Sequence, residues 1–191
     1  MNIRDYAVAM AAYNSWMNEK VYHAAAALPD HERKRNLGAF FKSIHGTLNH
    51  ILLGDQSWMQ RFARQTLTMT GPDQELFADF AELTIARRKM DKTISEWAAE
   101  LDEDFARMSL RFYSVTYKRE HTIPGWAAAV HLFNHQTHHR GQVLTLLTQL
   151  GHDVGVTDFP WMPYFDEGGA PTPAGTPPTP AGSSDGPRPV R

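Results

Sequence analysis

The sequence predicts an all-α protein, an antiparallel four-helix bundle with a short extended segment before the last helix and a disordered C-terminal tail. Four long segments carry apolar residues at spacings of three and four, which is the helical period. No internal repeat and no alternation of strands with helices is present. The 191 residues, 42% of them hydrophobic, can bury one core but are too few for two comfortable domains.

The first two predicted helices lie in the N-terminal part of the chain. The first covers residues 3–27 and ends before Pro29, because proline cannot continue a helix. Its apolar positions are Tyr6, Met10, Tyr13, Met17 and Tyr22. The second helix ends in a loop that contains Gly71 and Pro72. Its apolar positions are Leu37, Phe40, Phe41, Ile44, Leu48, Ile51, Leu52, Trp58, Met59 and Phe62.

The other two predicted helices flank an extended segment. The third helix breaks near the acidic "DEDF", and its apolar positions are Leu76, Phe80, Leu83, Ile85, Met90, Ile94, Trp97 and Leu101. The segment "LRFYSVTYKREHTIP" alternates and is rich in β-branched and aromatic residues, which predicts a short extended excursion. Thr122, two residues before Pro124, marks the expected start of the fourth helix. That helix runs to Leu150 and stops at Gly151.

The C-terminal residues differ in composition from the rest. From Gly168 onward the sequence is "GGAPTPAGTPPTPAGSSDGPRPVR", which holds seven of the twelve prolines together with Gly, Ser and Thr. Such a segment has almost nothing to bury and should stay extended. We therefore expect a helical domain over residues 1–166 and a disordered tail over residues 167–191.

Charge and cysteine content narrow the functional classes. Nineteen Lys and Arg against twenty-one Asp and Glu give a formal charge of −2, so no broad positive field exists to attract nucleic acid or anionic lipid. The absence of cysteine excludes disulfides, thiolate metal sites and a cysteine nucleophile. No apolar run approaches the ~18 residues of a membrane span. A cytoplasmic protein without nucleic-acid or membrane partners is expected.

The stretch "HLFNHQTHHRGQ", residues 131–142, is unusually rich in histidine. On a helical wheel His135 and His139 fall on the apolar side, whereas His138 lies roughly 100 to 140° from the main apolar positions and His131 flanks the pair. Histidines at i and i+4 project from adjacent turns and can bind one cation. They can equally be structural, with their ring nitrogens bonded to carbonyl groups or water.

A catalytic metal site of this type needs a third protein ligand. His45 and His50 of the second helix are the candidates. Ser43, Thr47, His50 and Gly54 form a stripe of small residues at spacings of four, three and four, which leaves a hollow beside His50. His50 nevertheless lies well off the centre of the apolar face of its helix. Periodicity leaves the choice between the two histidines open.

Four segments resemble the DinB family, within the DinB/YfiT-like metalloenzymes. They are "AAYNSWMNEK", "TLNHILLGDQSWMQRF", "HLFNHQTHHRGQV" and "LGHDVGVTDFPWMP", and the resemblance extends over about residues 1 to 165. The family implies a four-helix bundle that carries a divalent metal on three histidines, one from the second helix and two from the fourth. Carried onto this sequence, the implied ligands are His50, His135 and His139.

Other residues near these histidines have several possible roles. Asp55 can form a buried ion pair with Arg140 or Arg61, or orient a metal ligand. Gln142, two turns beyond His135, either contacts a metal-bound water or is a polar residue at the helix edge. Gly141 is expected to permit close approach of another helix. Trp58 and Trp16 are assigned to the core in preference to a substrate-binding surface.

The chemistry expected of the site follows from its ligands. Three neutral imidazoles leave the metal its full charge, so the site is a Lewis acid that attracts a soft anion such as a thiolate. Histidine suits several divalent ions, of which Zn²⁺ or Ni²⁺ is expected here. No His-Glu-x-x-His or Glu-x-x-His spacing is present, which argues against a metallopeptidase and a di-iron site.

Two functional classes stay open at this point. The resemblance implies a metal-dependent transferase or hydrolase acting on a small molecule, and in particular a thiol-dependent S-transferase supplied with a low-molecular-weight thiol as cosubstrate. The alternative is a metal-binding module without turnover, linked to stress by the damage-inducible expression that the family name implies. Phe133 and Leu144 are predicted on the outer side of the fourth helix, which predicts a homodimer that covers them.

Overall fold

The structure is a computed structural model that describes residues 2–115 and 117–165. The predicted domain boundary at residue 166 and the predicted disordered tail, residues 167–191, lie outside the described residues. None of the described helices has the length and apolarity needed to cross a membrane.

The described part of the chain is mostly helical. Its elements are α1 (Ile3–Ala26), α2 (Asp30–Lys34), α3 (Ile44–Phe62), α4 (Phe80–Glu100), α5 (Glu103–Arg107), β1 (Ser109–Ser114), β2 (Arg119–Pro124) and α6 (Gly125–Gln149), followed by two short 3-10 turns. The long helix α1 packs against α4 and α6, and α3 packs against the same two helices. The four predicted long helices therefore exist, and α2 is a short addition that the periodicity did not predict.

Three of the four long helices, α1, α3 and α4, begin after a residue whose side chain accepts a hydrogen bond from a backbone N–H that has no partner within the helix. Asn2, Ser43 and Asp79 each accept a hydrogen bond from the backbone N–H three residues later, at 2.8, 3.0 and 2.9 Å. The cap at Ser43 makes the second long helix start at Ile44. Leu37 lies before that helix, where its N–H donates to the Lys42 carbonyl at 2.7 Å, so the predicted extension of the helix back to Leu37 is wrong.

The extended excursion is a β-hairpin, so the term all-α is too narrow. Strands β1 and β2 pair antiparallel, with Thr122 opposite Arg111, which places Thr122 in a strand and moves the start of α6 to Gly125. A Cβ at Gly125 would lie 2.0 Å from the carbonyl oxygen of Phe105. Only glycine allows this approach of α6 to α5. The predicted stop at Gly151 is confirmed by its φ of +82°, which ordinary side chains disfavour.

The core consists of two clusters of buried apolar side chains. Phe133 belongs to one of them, is fully buried, and meets Tyr6 edge-on with ring centroids 6.0 Å apart. Leu144 is partly buried against the other cluster. The prediction that both residues lie on an uncovered face is therefore wrong, and they give no support to a homodimer.

A buried set of polar side chains, here called the charge network, lies between the long helices. Its members are Asn14, Asn18, Asp55, Arg87, Asp91, Gln136 and Arg140. Arg87 of α4 bridges the two acids, with Nη1 2.5 Å from Asp55 Oδ2 and Nη2 2.9 Å from Asp91 Oδ1. Burial lowers the pKa of Arg87, but Asp91 and Asp55 raise it by more, so the guanidinium stays charged.

The remaining members of the charge network complete its hydrogen bonds. Gln136 donates from Nε2 to Asp55 Oδ1 at 2.8 Å, and Arg140 donates from Nη1 to Asn14. The ion pair predicted for Asp55 is thus present, but Arg87 is its partner in place of Arg140 or Arg61. Two acids and two arginines balance in formal charge inside the protein, while Arg87 Nε and Gln136 Oε1 have no hydrogen-bond partner among the described residues.

Candidate metal centre

Three histidines from two helices converge at one point. His50 comes from α3, His135 and His139 come from α6, and one ring nitrogen of each lies within 4.8 Å of the others. The Nε2 atoms of His50 and His135 are 3.1 Å apart. The ring centroid of His139 is 4.5 Å from each of the other two rings. The set is here called the histidine centre.

Hydrogen bonds fix which nitrogen two of these histidines present. His50 donates from Nδ1 to the carbonyl oxygen of Pro72 at 2.7 Å, which leaves the lone pair on Nε2. His139 Nδ1 is 2.9 Å from Gln142 Oε1, an acceptor, so the lone pair again falls on Nε2. Partners of this kind hold metal-binding imidazoles in the required tautomer and orientation.

The environment keeps all three rings neutral. Burial lowers the pKa of His50 to about 4, the Pro72 carbonyl opposes this in part, and nearby His139 adds to the lowering. Burial likewise lowers the pKa of His135 to about 3, with further lowering from the neighbouring histidines. The pKa of His139 is lowered mainly by burial as well. Neutral imidazoles are the form that binds metals.

Close packing positions the rings. A Cβ added at Gly54 would lie 2.7 Å from His135 Cε1, so the missing side chain makes room for the His135 ring against α3. Phe41 stacks on His50 with ring centroids 3.7 Å apart and planes 17° from parallel. The small-residue hollow predicted beside His50 therefore exists at Gly54, and His135 fills it.

The arrangement fits a divalent ion. Zinc binds imidazole nitrogens at about 2.0–2.1 Å, which in a tetrahedral site sets them roughly 3.3 Å apart. The 3.1 Å between His50 and His135 is close to that separation, and small side-chain rotations would bring the third nitrogen in. The Nδ1 atom of His135 is buried and has no hydrogen-bond partner in the described structure. Three histidine ligands from the protein leave the fourth position for a small ligand.

The other histidines of the two motifs lie elsewhere. His45 is buried and donates from Nε2 to the Phe77 carbonyl at 2.9 Å, so the structure brings His50, and not His45, beside His135 and His139. His138 is exposed, and its Nε2 lies 3.3 Å from Gln142 Nε2. Gln142 thus contacts two histidines through its amide, and its contact with a metal-bound water stays a prediction.

A pocket of about 640 Å³ opens beside the histidine centre. Its walls come from α3, α6, the β-hairpin and the connections on either side of α3. Besides the three histidines, its apolar lining includes Phe41, Leu53, Trp58, Met69, Phe112 and Ile123. Trp58, assigned to the core by the sequence, is buried as expected but also lines this pocket. Pockets of this size and apolar character accommodate small organic molecules.

Comparison with known proteins shows the family and the fold of the chain. The sequence-family model of the DinB family matches residues 1–172. The chain belongs to the DinB family. Protein DinB of Bacillus subtilis (strain 168) is 24% identical over 170 residues, covering 81% of this chain and 92% of that protein. The crystal structure of a DinB-like protein from Bacillus cereus ATCC 10987 superposes with a TM-score of 0.56 at 19% identity, covering 74% of this chain and 90% of the other, which shows a common fold.

Several parts of this DinB centre were not predicted from the sequence. The carbonyl of Pro72 gives no sequence signal as a histidine partner, because any residue carries a backbone carbonyl. Phe41 was assigned to a helix face and Phe112 to a strand, and only the folded chain brings both to the pocket. Arg87 lies in a helix with several charged residues, and nothing in its spacing marks it as the partner of Asp55.

Proposed function

We propose that His50, His135 and His139 hold a divalent metal ion and that the protein is a metal-dependent enzyme, transferring a low-molecular-weight thiol to a small electrophile. The observation that carries this proposal is the convergence of imidazole nitrogens that face one another and border an open pocket. His45, by contrast, has its Nε2 bonded to the Phe77 carbonyl and does not face another histidine of this set.

The residues of the histidine centre and the two groups bonded to them would have separate roles. The three histidines supply neutral nitrogen ligands, the Pro72 carbonyl orients His50, and Gln142 orients His139. When bound, a divalent ion such as Zn²⁺ or Ni²⁺ supplies Lewis-acid chemistry that favours the anionic form of a thiol.

The thiol must come from outside, because the chain has no cysteine. In the proposed reaction the thiol sulfur forms a bond to the electrophilic carbon, the leaving group departs with the bonding electron pair, and the thiol proton passes to solvent. The apolar lining of the pocket holds the electrophile and limits the access of water.

Cobalt substitution tests the proposal, because the visible spectrum of Co²⁺ reports its ligands. We expect glutathione, bacillithiol or mycothiol to change the spectrum of the cobalt-loaded protein and to release a proton on binding, between about pH 6 and 9, which spans the ordinary thiol pKa. The metal-depleted protein and the His139→Ala variant should show no change, whereas His138→Ala should behave like the wild type. A spectrum that no thiol alters would reject S-transfer and favour a metal-binding module without turnover.

A further inference from the structure

Arg61, at the C-terminal end of α3, is a cation with no polar partner among the residues that the structure describes. Its buried Nε has no hydrogen-bond acceptor, and its guanidinium makes no hydrogen bond or ion pair with any residue in 2–115 or 117–165. The flat guanidinium instead lies over two aromatic rings, with Cζ 4.9 Å from the centroid of Trp58 and 5.1 Å from that of Phe112. Burial lowers the pKa of Arg61, but an arginine stays charged at neutral pH.

The other arginines do not share this environment. Within the described residues, Arg33 and Arg87 also leave a buried Nε without a partner, but their terminal nitrogens donate to backbone carbonyls or pair with two acids. Arg140 donates to Asn14. A half-buried guanidinium with donors unused is costly unless something else accepts its hydrogen bonds.

The pocket around Arg61 favours an anion. Of the twenty described residues that line it, Arg61 is the one permanent charge, and no aspartate or glutamate of the lining opposes it. A pocket lined by one sign of charge and apolar walls raises the local concentration of oppositely charged ligands.

Arg61 and the histidine centre lie at two ends of one pocket. Along the pocket α3 and α6 run antiparallel, because His50 faces His139, Gly54 faces His135, and Trp58 contacts His131. Trp58 is eight residues beyond His50, or about 12 Å of helix rise. The guanidinium over Trp58 is therefore separated from the histidine centre by on the order of 10 Å.

We propose that Arg61 binds the carboxylate of a small organic substrate whose apolar body lies against Trp58 and Phe112 and whose other end reaches the histidine centre. The assignment of the reacting end rests on the proposed function, whereas the carboxylate site does not. A planar guanidinium pairs with a carboxylate through two parallel hydrogen bonds. Stacking on the two rings holds the Arg61 guanidinium in the orientation that such a pair needs. The carboxylate belongs either to the electrophile or to the thiol.

The first arm of the test measures the carboxylate site without any thiol. Phenylpropionate and its neutral amide, phenylpropanamide, are titrated calorimetrically into zinc-loaded and metal-depleted protein. Wild type should bind the acid about tenfold or more tightly than the amide, as expected for a charge-assisted pair. Arg61→Gln should bind both equally, and Arg61→Lys should keep part of the preference. Arg111→Gln is the matched control, since Arg111 is exposed and paired with Glu120 outside this pocket.

The second arm distinguishes the source of the carboxylate. Cobalt-loaded protein is titrated with mercaptopropionate, mercaptohexanoate and their amides. If the thiol carries the carboxylate, mercaptohexanoate should bind more tightly than its amide, because its carboxylate reaches Arg61. Mercaptopropionate is too short to span the pocket and should bind no more tightly than its amide. If the electrophile carries it, neither acid gains, and phenylpropionate binds alongside a neutral thiol.

The two arms separate failure of this inference from failure of S-transfer. An acid that binds no better than its amide, or that keeps its preference in Arg61→Gln, overturns the carboxylate site whatever the thiols do. A cobalt spectrum that no thiol changes, together with a preference for phenylpropionate that depends on Arg61, rejects S-transfer and retains the site. Thermal unfolding of Arg61→Gln should match wild type, so a loss of binding cannot be ascribed to misfolding.

Discussion

The histidine centre and the charge network share helices α3 and α6, and the network also draws on α1 and α4, but their polar groups are arranged in opposite ways. On α6, His135 is followed by Gln136 and His139 by Arg140, so neighbouring residues point to different regions. In the charge network the donors and acids meet each other inside the protein. In the histidine centre the nitrogens of His50 and His135 face one another at 3.1 Å. Polar groups that pair internally stabilise the fold, whereas the converging nitrogens of the histidine centre are the groups that we propose bind a metal ion.

The largest expected effect is the loss of metal binding. Replacing His50, His135 or His139 by alanine removes one of three ligands, and each variant should lose stoichiometric zinc in protein purified without a histidine tag. His138→Ala is the matched control, because His138 is an exposed neighbour on α6. Metal content measured by mass spectrometry checks this. Loss of zinc in His138→Ala with retention in His139→Ala would show that the ligands on α6 are misassigned.

Breaking the charge network should act on stability. Arg87→Leu leaves the buried carboxylates of Asp55 and Asp91 without their cation, and the free energy of unfolding should fall by about 3–5 kcal/mol. Arg88→Leu, on the exposed side of α4, should change it by no more than about 0.5 kcal/mol. Urea denaturation followed by circular dichroism measures both. Equal stability of the two variants would mean that the network contributes little.

The orienting contact of Gln142 should have a smaller effect on metal affinity. Gln142→Ala removes the acceptor at 2.9 Å from His139 Nδ1, and zinc affinity should fall by about 10- to 100-fold. The unfolding midpoint of the metal-free protein should stay nearly unchanged, since Gln142 lies at the pocket surface. Competition with a chelator gives the affinity. Unaltered zinc affinity would show that His139 needs no such orientation.

The smallest expected effect is the pH dependence of the metal-free protein. The pKa values of His50 and His135 are lowered to about 4 and about 3, against about 6.5 in an unfolded chain. As pH falls below 7, these two histidines bind protons in the unfolded chain but not in the folded protein, so the free energy of unfolding falls with pH. Between pH 7 and 6 we expect a loss of about 1 kcal/mol, after allowance for solvent exposure. His50→Ala should show a shallower dependence, and an identical slope in both proteins would contradict this origin.

Helical periodicity predicted the four long helices because each buries one apolar face. The boundaries depended on single contacts, such as the Ser43 cap that sets the start of α3 at Ile44. Phe133 shows a further limit. A wheel places it opposite His135, but α1 and the third long helix α4 close over that side as well, through Tyr6 and Trp97. A wheel describes one helix and contains no information about how many neighbours surround it.

The candidate site was predictable to the extent that its chemistry lies within short motifs. The spacing of His135 and His139 predicts that both rings lie on one side of the helix, where they can bind one cation. The family resemblance adds His50 as the third ligand. The partner that orients His50 was not predictable, because Pro72 acts through its backbone carbonyl. The sequence offers Arg61 only as a partner of Asp55, and since Arg87 takes that place, Arg61 has no polar partner within residues 2–115 and 117–165.

The hydrogen bond from His50 to Pro72 ties the histidine centre to the long connection between α3 and α4. The C-terminal part of this connection is fixed independently, since Asn49 Oδ1 accepts from the N–H groups of Leu76 and Phe77 at 2.9 and 3.0 Å. Near Pro72 the connection is held to α3 by the hydrogen bond from the His50 ring, and a bound ion would restrain the orientation of that ring. Local opening of residues 63–75 therefore costs more when the centre is loaded, so amide hydrogen exchange and protease cleavage there should slow with metal occupancy.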